Sequence, residues 1–156
     1  MSLNPSSCAS AINAAITSYI DTYPSGNFAT AFASAYKSYS QAGVVAGAAS
    51  GTEDEGILSS ILSTGDDFIT DVEFGQALAD YWATCFLIPA GGAVSVSNNA
   101  SSKVGAFTAA INASYTTTDS QPYYLNFITN IENVAKTIIW TVIYPNPLPP
   151  QFETVS

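Results

Sequence analysis

The residues in this sequence that could do chemistry are few, and most of them are acidic. Seven carboxylates fall within 21 residues, Glu53, Asp54 and Glu55 in one group and Asp66, Asp67, Asp71 and Glu73 in another. Oxygen-rich clusters suit Ca²⁺ or Mg²⁺, but the ligand spacing of an EF-hand loop is missing. Both groups also stand where helices begin, and there capping and the helix dipole favour carboxylates without any metal. The capping explanation is the stronger, so no metal site is assigned. Asp71 and Asp80 are the best pair for glycosidase-type acid–base work. They lie nine positions apart on different sides of one helix, which separates them.

Nucleophilic chemistry is poorly provided for. Histidine is absent, so a Ser or Cys triad has no base. Two cysteines, Cys8 and Cys85, cannot complete a zinc site. Gly91-Gly92 lacks the preceding glycine and the following Lys-Ser/Thr of a phosphate-cradling loop. Arginine, the usual bidentate clamp for phosphate and carboxylate, is also missing. These exclusions predict a non-enzymatic protein without a cofactor. Cys85 falls on an apolar helix face and reads as a buried free thiol. Nothing in the spacing argues for pairing it with Cys8.

The overall balance narrows the partners. The net charge is −9, with only Lys37, Lys103 and Lys136 as cations. Nucleic-acid binding needs clustered cations that displace counterions, so it is excluded, and anionic membrane surfaces are disfavoured for the same reason. No stretch approaches the ~18–20 apolar residues of a transmembrane helix. Met1-Ser2-Leu3-Asn4-Pro5 lacks the basic and apolar regions of a signal peptide, so the expectation is cytoplasmic synthesis. On that basis Asn99-Ala100-Ser101 and Asn112-Ala113-Ser114 are glycosylation patterns without consequence. Charged residues make up 10% of the chain, against roughly 25% in ordinary soluble domains. A Ser/Thr/Asn/Gln surface of this kind suits a protein packed against others, and it suits an extracellular protein as well.

The elements that position these residues are mostly helical. Thr70-Asp71-Val72-Glu73 is a capping box. Phe74, Ala77, Leu78, Tyr81, Trp82, Cys85 and Ile88 then mark one face of a helix over 74–88, stopped by Pro89 and Gly91-Gly92. Its wide apolar face predicts a central helix contacted on more than one side. A first helix runs over 8–22, with Ser6 or Ser7 as cap and Ile12, Ile16, Tyr19, Ile20 and Tyr23 on its face. Pro24-Ser25-Gly26-Asn27 connects it to a second helix over 27–41 carrying Phe28, Phe32, Tyr36 and Tyr39. Thr52-Glu53-Asp54-Glu55 reads as a second capping box before a short helix ended at Gly65. Residues 91–99 alternate weakly and are read as a loop, for want of a partner strand.

A fifth helix covers 101–114. The sixth starts at Ser120-Gln121-Pro122 and keeps helical spacing through Val142. Propensity alone would make the β-branched run at 138–144 a strand, but the unbroken periodicity favours helix. Ala14–Tyr19 and Ala109–Tyr115 echo one another faintly, as Ala-rich helices do by chance.

The expected architecture is all-α: a single domain of five to six helices around a central helix over residues 1–144. It is completed by an extended, polyproline-like tail over 145–156, in which regular structure ends. A preordered proline segment loses little entropy on docking, so Pro145, Pro147, Leu148, Pro149, Pro150 and Phe152 are the candidate interaction residues. The leading functional expectation is a structural or assembly subunit of a larger particle, such as a phage or virus virion, with protein partners or self-assembly. The alternative is a helical module that binds an apolar small molecule in an aromatic pocket near Tyr36, Tyr81 or Trp82.

Overall fold

The computed structural model describes residues 3–22, 28–63, 69–115 and 120–156. The described residues are 57% helical. Six α-helices are present among the described residues: α1 Pro5–Thr22, α2 Phe28–Gln41, α3 Glu55–Leu62, α4 Asp71–Ala83, α5 Val104–Ser114 and α6 Ser120–Ala135. Each packs on its neighbours in sequence, and α1 packs on α6. The six therefore close into a ring. The expected central helix, α4, is a member of that ring rather than its axis, although it is contacted on more than one side. Gly75 faces α5 so closely that a Cβ there would lie 2.9 Å from the Thr108 amide nitrogen, while Tyr81 and Trp82 point to Tyr36 of α2.

The caps show where local sequence decides. The Thr70–Glu73 capping box is present in full, with Thr70 N–H donating to Glu73 at 2.8 Å and Glu73 N–H to Thr70 Oγ1 at 3.2 Å. At the start of α3 the expected box does not form. Asp54 is the cap, accepting from Gly56 N–H at 3.0 Å, and Thr52 Oγ1 accepts from Leu87 N–H at 3.2 Å. Helix α1 is likewise capped by Asn4, which accepts from Ser7 N–H at 3.1 Å, rather than by a serine. The expected stop at Gly65, the carboxylates Asp66 and Asp67, the connector at Pro24–Asn27 and the Thr116–Asp119 connector lie outside the described residues. So does the Ser120 side chain expected to cap α6.

Helix α4 ends at Ala83, short of the expected Ile88. Thr84 Oγ1 donates to the Tyr81 carbonyl at 2.7 Å, and Phe86 takes a left-handed φ of 53°. That conformation is costly for a non-glycine residue, and it is offset by burying the Phe86 ring against Trp140 at a centroid distance of 5.8 Å. Beyond it Ile88–Pro89 (β2) pairs antiparallel with Ala48–Ala49 (β1). A 3-10 turn, Ala100–Lys103, precedes α5.

The largest correction concerns the last third. Helix α6 stops at Ala135, and Ile138 N–H bonds back to the Ala135 carbonyl at 3.0 Å in a tight turn. Trp140–Ile143 is a strand, β4. Its β-branched and aromatic side chains suit a pleated, half-buried surface better than a helix. With β4 in place the 91–99 segment acquires the partner it lacked, and Ser95–Asn98 (β3) pairs with it antiparallel, Val96 opposite Val142. Nor does regular structure end at Pro145. Gln151–Glu153 (β5) returns as the third strand, Phe152 opposite Thr141. The sheet order is β3-β4-β5.

One core joins the ring and the sheet. It runs from Leu3 and Cys8 through Tyr36, Leu78, Trp82, Ile128 and Ile131 to Trp140 and Val155. At its centre Tyr36, Tyr81, Trp82 and Trp140 meet edge to face at centroid distances of 5.5 to 6.4 Å. The polar tips are paired. Trp82 Nε1–H donates to Tyr36 Oη at 3.0 Å, and Trp140 Nε1–H to the Cys85 carbonyl at 3.0 Å.

Candidate interaction surface

The hairpin formed by β4 and β5 places the candidate residues. Between the strands the chain passes through Pro145, a cis Asn146–Pro147 bond, Leu148, Pro149 and Pro150. Leu148 N–H donates to the Pro145 carbonyl at 3.3 Å, which folds the segment into a turn. All six candidates, Pro145, Pro147, Leu148, Pro149, Pro150 and Phe152, lie on the surface. Phe152 is 71% exposed and Leu148 59%. Five of them share the turn, and Phe152 stands on the strand beyond it.

Strand alternation then separates the two faces of the sheet. Trp140 and Val142 are buried inward. On the outer face Thr141 sits opposite Phe152 and Ser97, and Ile143 opposite Ser95. Ile139 continues the same row one step before the strand. Ile139 and Ile143 are exposed, at 40% and 41%. No side chain named on this face is charged, because Glu153 lies opposite Trp140 and turns to the other side. Sequence reading missed Ile139, Thr141 and Ile143 as surface residues. The signal was their alternation with Ile138, Trp140 and Val142, which helical periodicity masked.

Two features distinguish face from edge. β5 is three residues long, and Pro149 and Pro150 precede it without N–H groups. Short, proline-flanked strands make poor templates for pairing with a further strand. The chain beyond β5 is tied down. Val155 is buried, and a Cβ on Gly43 would come within 2.6 Å of it. Ser156 N–H donates to the Val44 carbonyl at 3.1 Å, while the Ser156 carbonyl accepts from Val44 N–H at 3.2 Å and Leu3 N–H at 3.3 Å. Gly47, at a positive φ of 73°, lets the same loop pass β4, since a Cβ there would meet Val142 Cγ1 at 2.7 Å.

The chemistry-bearing residues are distributed elsewhere and mostly committed. Glu53 is buried and one of its oxygens accepts from Gly51 N–H at 2.7 Å and Gln41 Nε2–H at 3.0 Å. Its other oxygen, Oε1, has no hydrogen-bond partner. Glu55 pairs with Lys37 at 3.7 Å, and Asp71 accepts from the Tyr115 hydroxyl. The two donors of Thr70 hold the Glu73 carboxyl below the usual carboxylate range. The acidic groups thus serve caps and local bonds, and no cluster of three His, Cys, Asp or Glu able to hold a metal occurs among the described residues.

Buried Glu132 accepts from the Tyr39 hydroxyl at 2.7 Å and pairs with Lys136. Cys8 and Cys85 are free, buried thiols. Burial, with the Glu132 carboxylate adding to it, pushes the Cys8 thiol up to about 12. Burial drives Cys85 in the same direction, and such thiols are poor nucleophiles. Tyr36, Tyr81 and Trp82, around which a ligand pocket was expected in the alternative reading, are fully buried and in contact with one another.

No helix among the described residues is long and apolar enough to cross a membrane. No protein-family model matches the chain, and no curated protein or solved structure matches it either.

Proposed function

We propose that this chain is a non-catalytic structural subunit that associates with further copies of itself through the outer face of the β3-β4-β5 sheet. The observation that carries this reading is that face: Phe152 is 71% exposed beside the β-branched row of Ile139, Thr141 and Ile143, without a charge among them. Its neutrality matters for self-docking, because a chain with a net charge of −9 repels its own copies wherever carboxylates face each other. Face-to-face sheet packing needs interdigitating apolar and β-branched side chains, which this row supplies. Pairing at the β5 edge is disfavoured by the prolines ahead of that strand. The proline turn at 145–150 lies beside the face and completes the contact through Leu148. Such a face suits a repeated subunit of a larger particle, a virion component included.

Light scattering across a concentration series tests the reading. The chain is expected to grow in mass with concentration, and the Phe152→Ser/Ile143→Thr variant to stay monomeric with an unchanged helical circular-dichroism spectrum. A parent chain that remains monomeric at every concentration, or a variant that associates as the parent does, overturns it.

A further inference from the structure

Helices α3 and α4 pack side by side and leave an open cleft of about 550 Å³ between them. Ile57 and Ile61 of α3 and Val72 and Ala77 of α4 supply its apolar floor. Val72 is 60% exposed. The α4 side of the rim is acidic. Glu73 and Asp80 stand two turns apart along it, and Gln76 Nε2–H fixes the Asp80 carboxylate at 2.8 Å. The ion pairs of the described residues, Lys37–Glu55 and Lys136–Glu132, involve neither carboxylate.

We infer that this cleft docks an amphipathic, lysine- or arginine-bearing helix of a different protein. A third helix fits the groove between two packed helices by ridges into grooves, with its apolar stripe on the floor. The span from Val72 to Asp80 covers roughly 12 Å at ~1.5 Å per residue, the length of about two helical turns. Charge decides the origin of the occupant. A second copy of this chain offers only Lys37, Lys103 and Lys136, two of them already in ion pairs, and brings its own excess of carboxylates. Cations flanking an apolar stripe complement the Glu73–Asp80 rim and raise the encounter rate. The inference does not rest on self-association through the sheet, which uses other residues.

The test is titration of the full chain with a 14-residue capped helical peptide that has leucines at i, i+3, i+4 and i+7 and lysines along both borders. A matched peptide carries glutamates in place of the lysines. Calorimetry reads affinity and backbone amide shifts read location. The lysine peptide is expected to bind saturably, to weaken as salt rises, and to shift amides around Ile57, Ile61, Val72 and Gln76, whereas the glutamate peptide does not bind. Val72→Ser, at a position 60% exposed, is expected to weaken the lysine peptide at least fivefold while leaving the circular-dichroism spectrum unchanged, and Asp80→Asn severalfold. Equal affinity for both peptides, shifts mapping away from α3 and α4, or affinity unchanged in Val72→Ser overturns the inference.

Discussion

The aromatic centre of the helical ring and the outer face of the sheet both rest on large apolar side chains, but only the first is closed on every side. Around Tyr36, Tyr81 and Trp82 each ring meets another ring, and the hydroxyls and indole N–H are paired. A polar tip buried in this way costs nothing extra, because its hydrogen bonds are kept. On the sheet the same strand that buries Trp140 and Val142 presents Thr141 and Ile143 outward, with Phe152 beside them. The difference lies in neighbours rather than in residue type. Helices surround the first group, whereas the second has a covering on one face alone, and that asymmetry leaves the sheet face free for contact while the aromatic centre serves stability.

Substitutions can break or sharpen this contrast. Trp82→Ala should be the most damaging, because it opens a cavity at the centre and leaves the Tyr36 hydroxyl without its donor. A loss of about 3–5 kcal/mol is expected for a buried aromatic of this size, measured by urea unfolding. A loss under about 1 kcal/mol, at the bottom of the range for large-to-small core changes, would show that the centre is not tightly filled. Gly75→Val probes the closest helix contact, where a new side chain collides with the Thr108 backbone. Overpacking there should cost about 1–3 kcal/mol, and an unchanged unfolding midpoint would refute the close approach of α4 and α5.

Alkaline pH distinguishes the closed region in another way. The Cys8 thiol is raised from 9.0 to about 12 by burial and by the Glu132 carboxylate, so folded protein holds its proton more tightly than unfolded protein. Its contribution is fully present below pH 9 and is lost as pH rises from 9 towards 12, at about 1.4 kcal/mol per pH unit. Burial raises Tyr39, Tyr81 and Cys85 in the same direction. Cys8→Ala should flatten the fall of stability between pH 9 and 11, and an identical slope in the variant would contradict burial of the thiol. Phe152→Ser closes the series with the smallest effect on folding, within about 0.5 kcal/mol as for other surface changes, while reducing association. A large destabilisation would place Phe152 in the core after all.

Much of the ring was legible because its determinants are local. The Thr70–Glu73 box is four residues long and the apolar repeat of α4 can be counted directly, so start and face were both readable. Asp54 and Asn4 as caps were harder, since neighbouring Thr52, Ser6 and Ser7 have equivalent chemistry and only the backbone path chooses between them. The sheet was not legible for a different reason. Ile138–Val142 satisfies a helical repeat and a strand repeat together, and the tie is broken by Ser95–Asn98 and Gln151–Glu153, whose pairing no local window contains. Misreading β4 as helix removed the partner of β3, so one error produced two. The proline-rich residues lie at the surface, but in a turn leading into a strand rather than in an extended tail, and the outward row of β4 that extends their surface depended on the missed strand.

The backbone bonds that join Leu3, Val44 and Ser156 bear on the order of folding. Contacts between successive helices close short loops, whereas this clasp gathers three segments far apart in the chain and must recover a larger loop entropy. The contact of α1 with α6 closes a loop of comparable length, so the expectation is that the clasp and the closure of the ring form late, together. Opening of this clasp alone would bare Val155 and the Gly43 backbone that it covers.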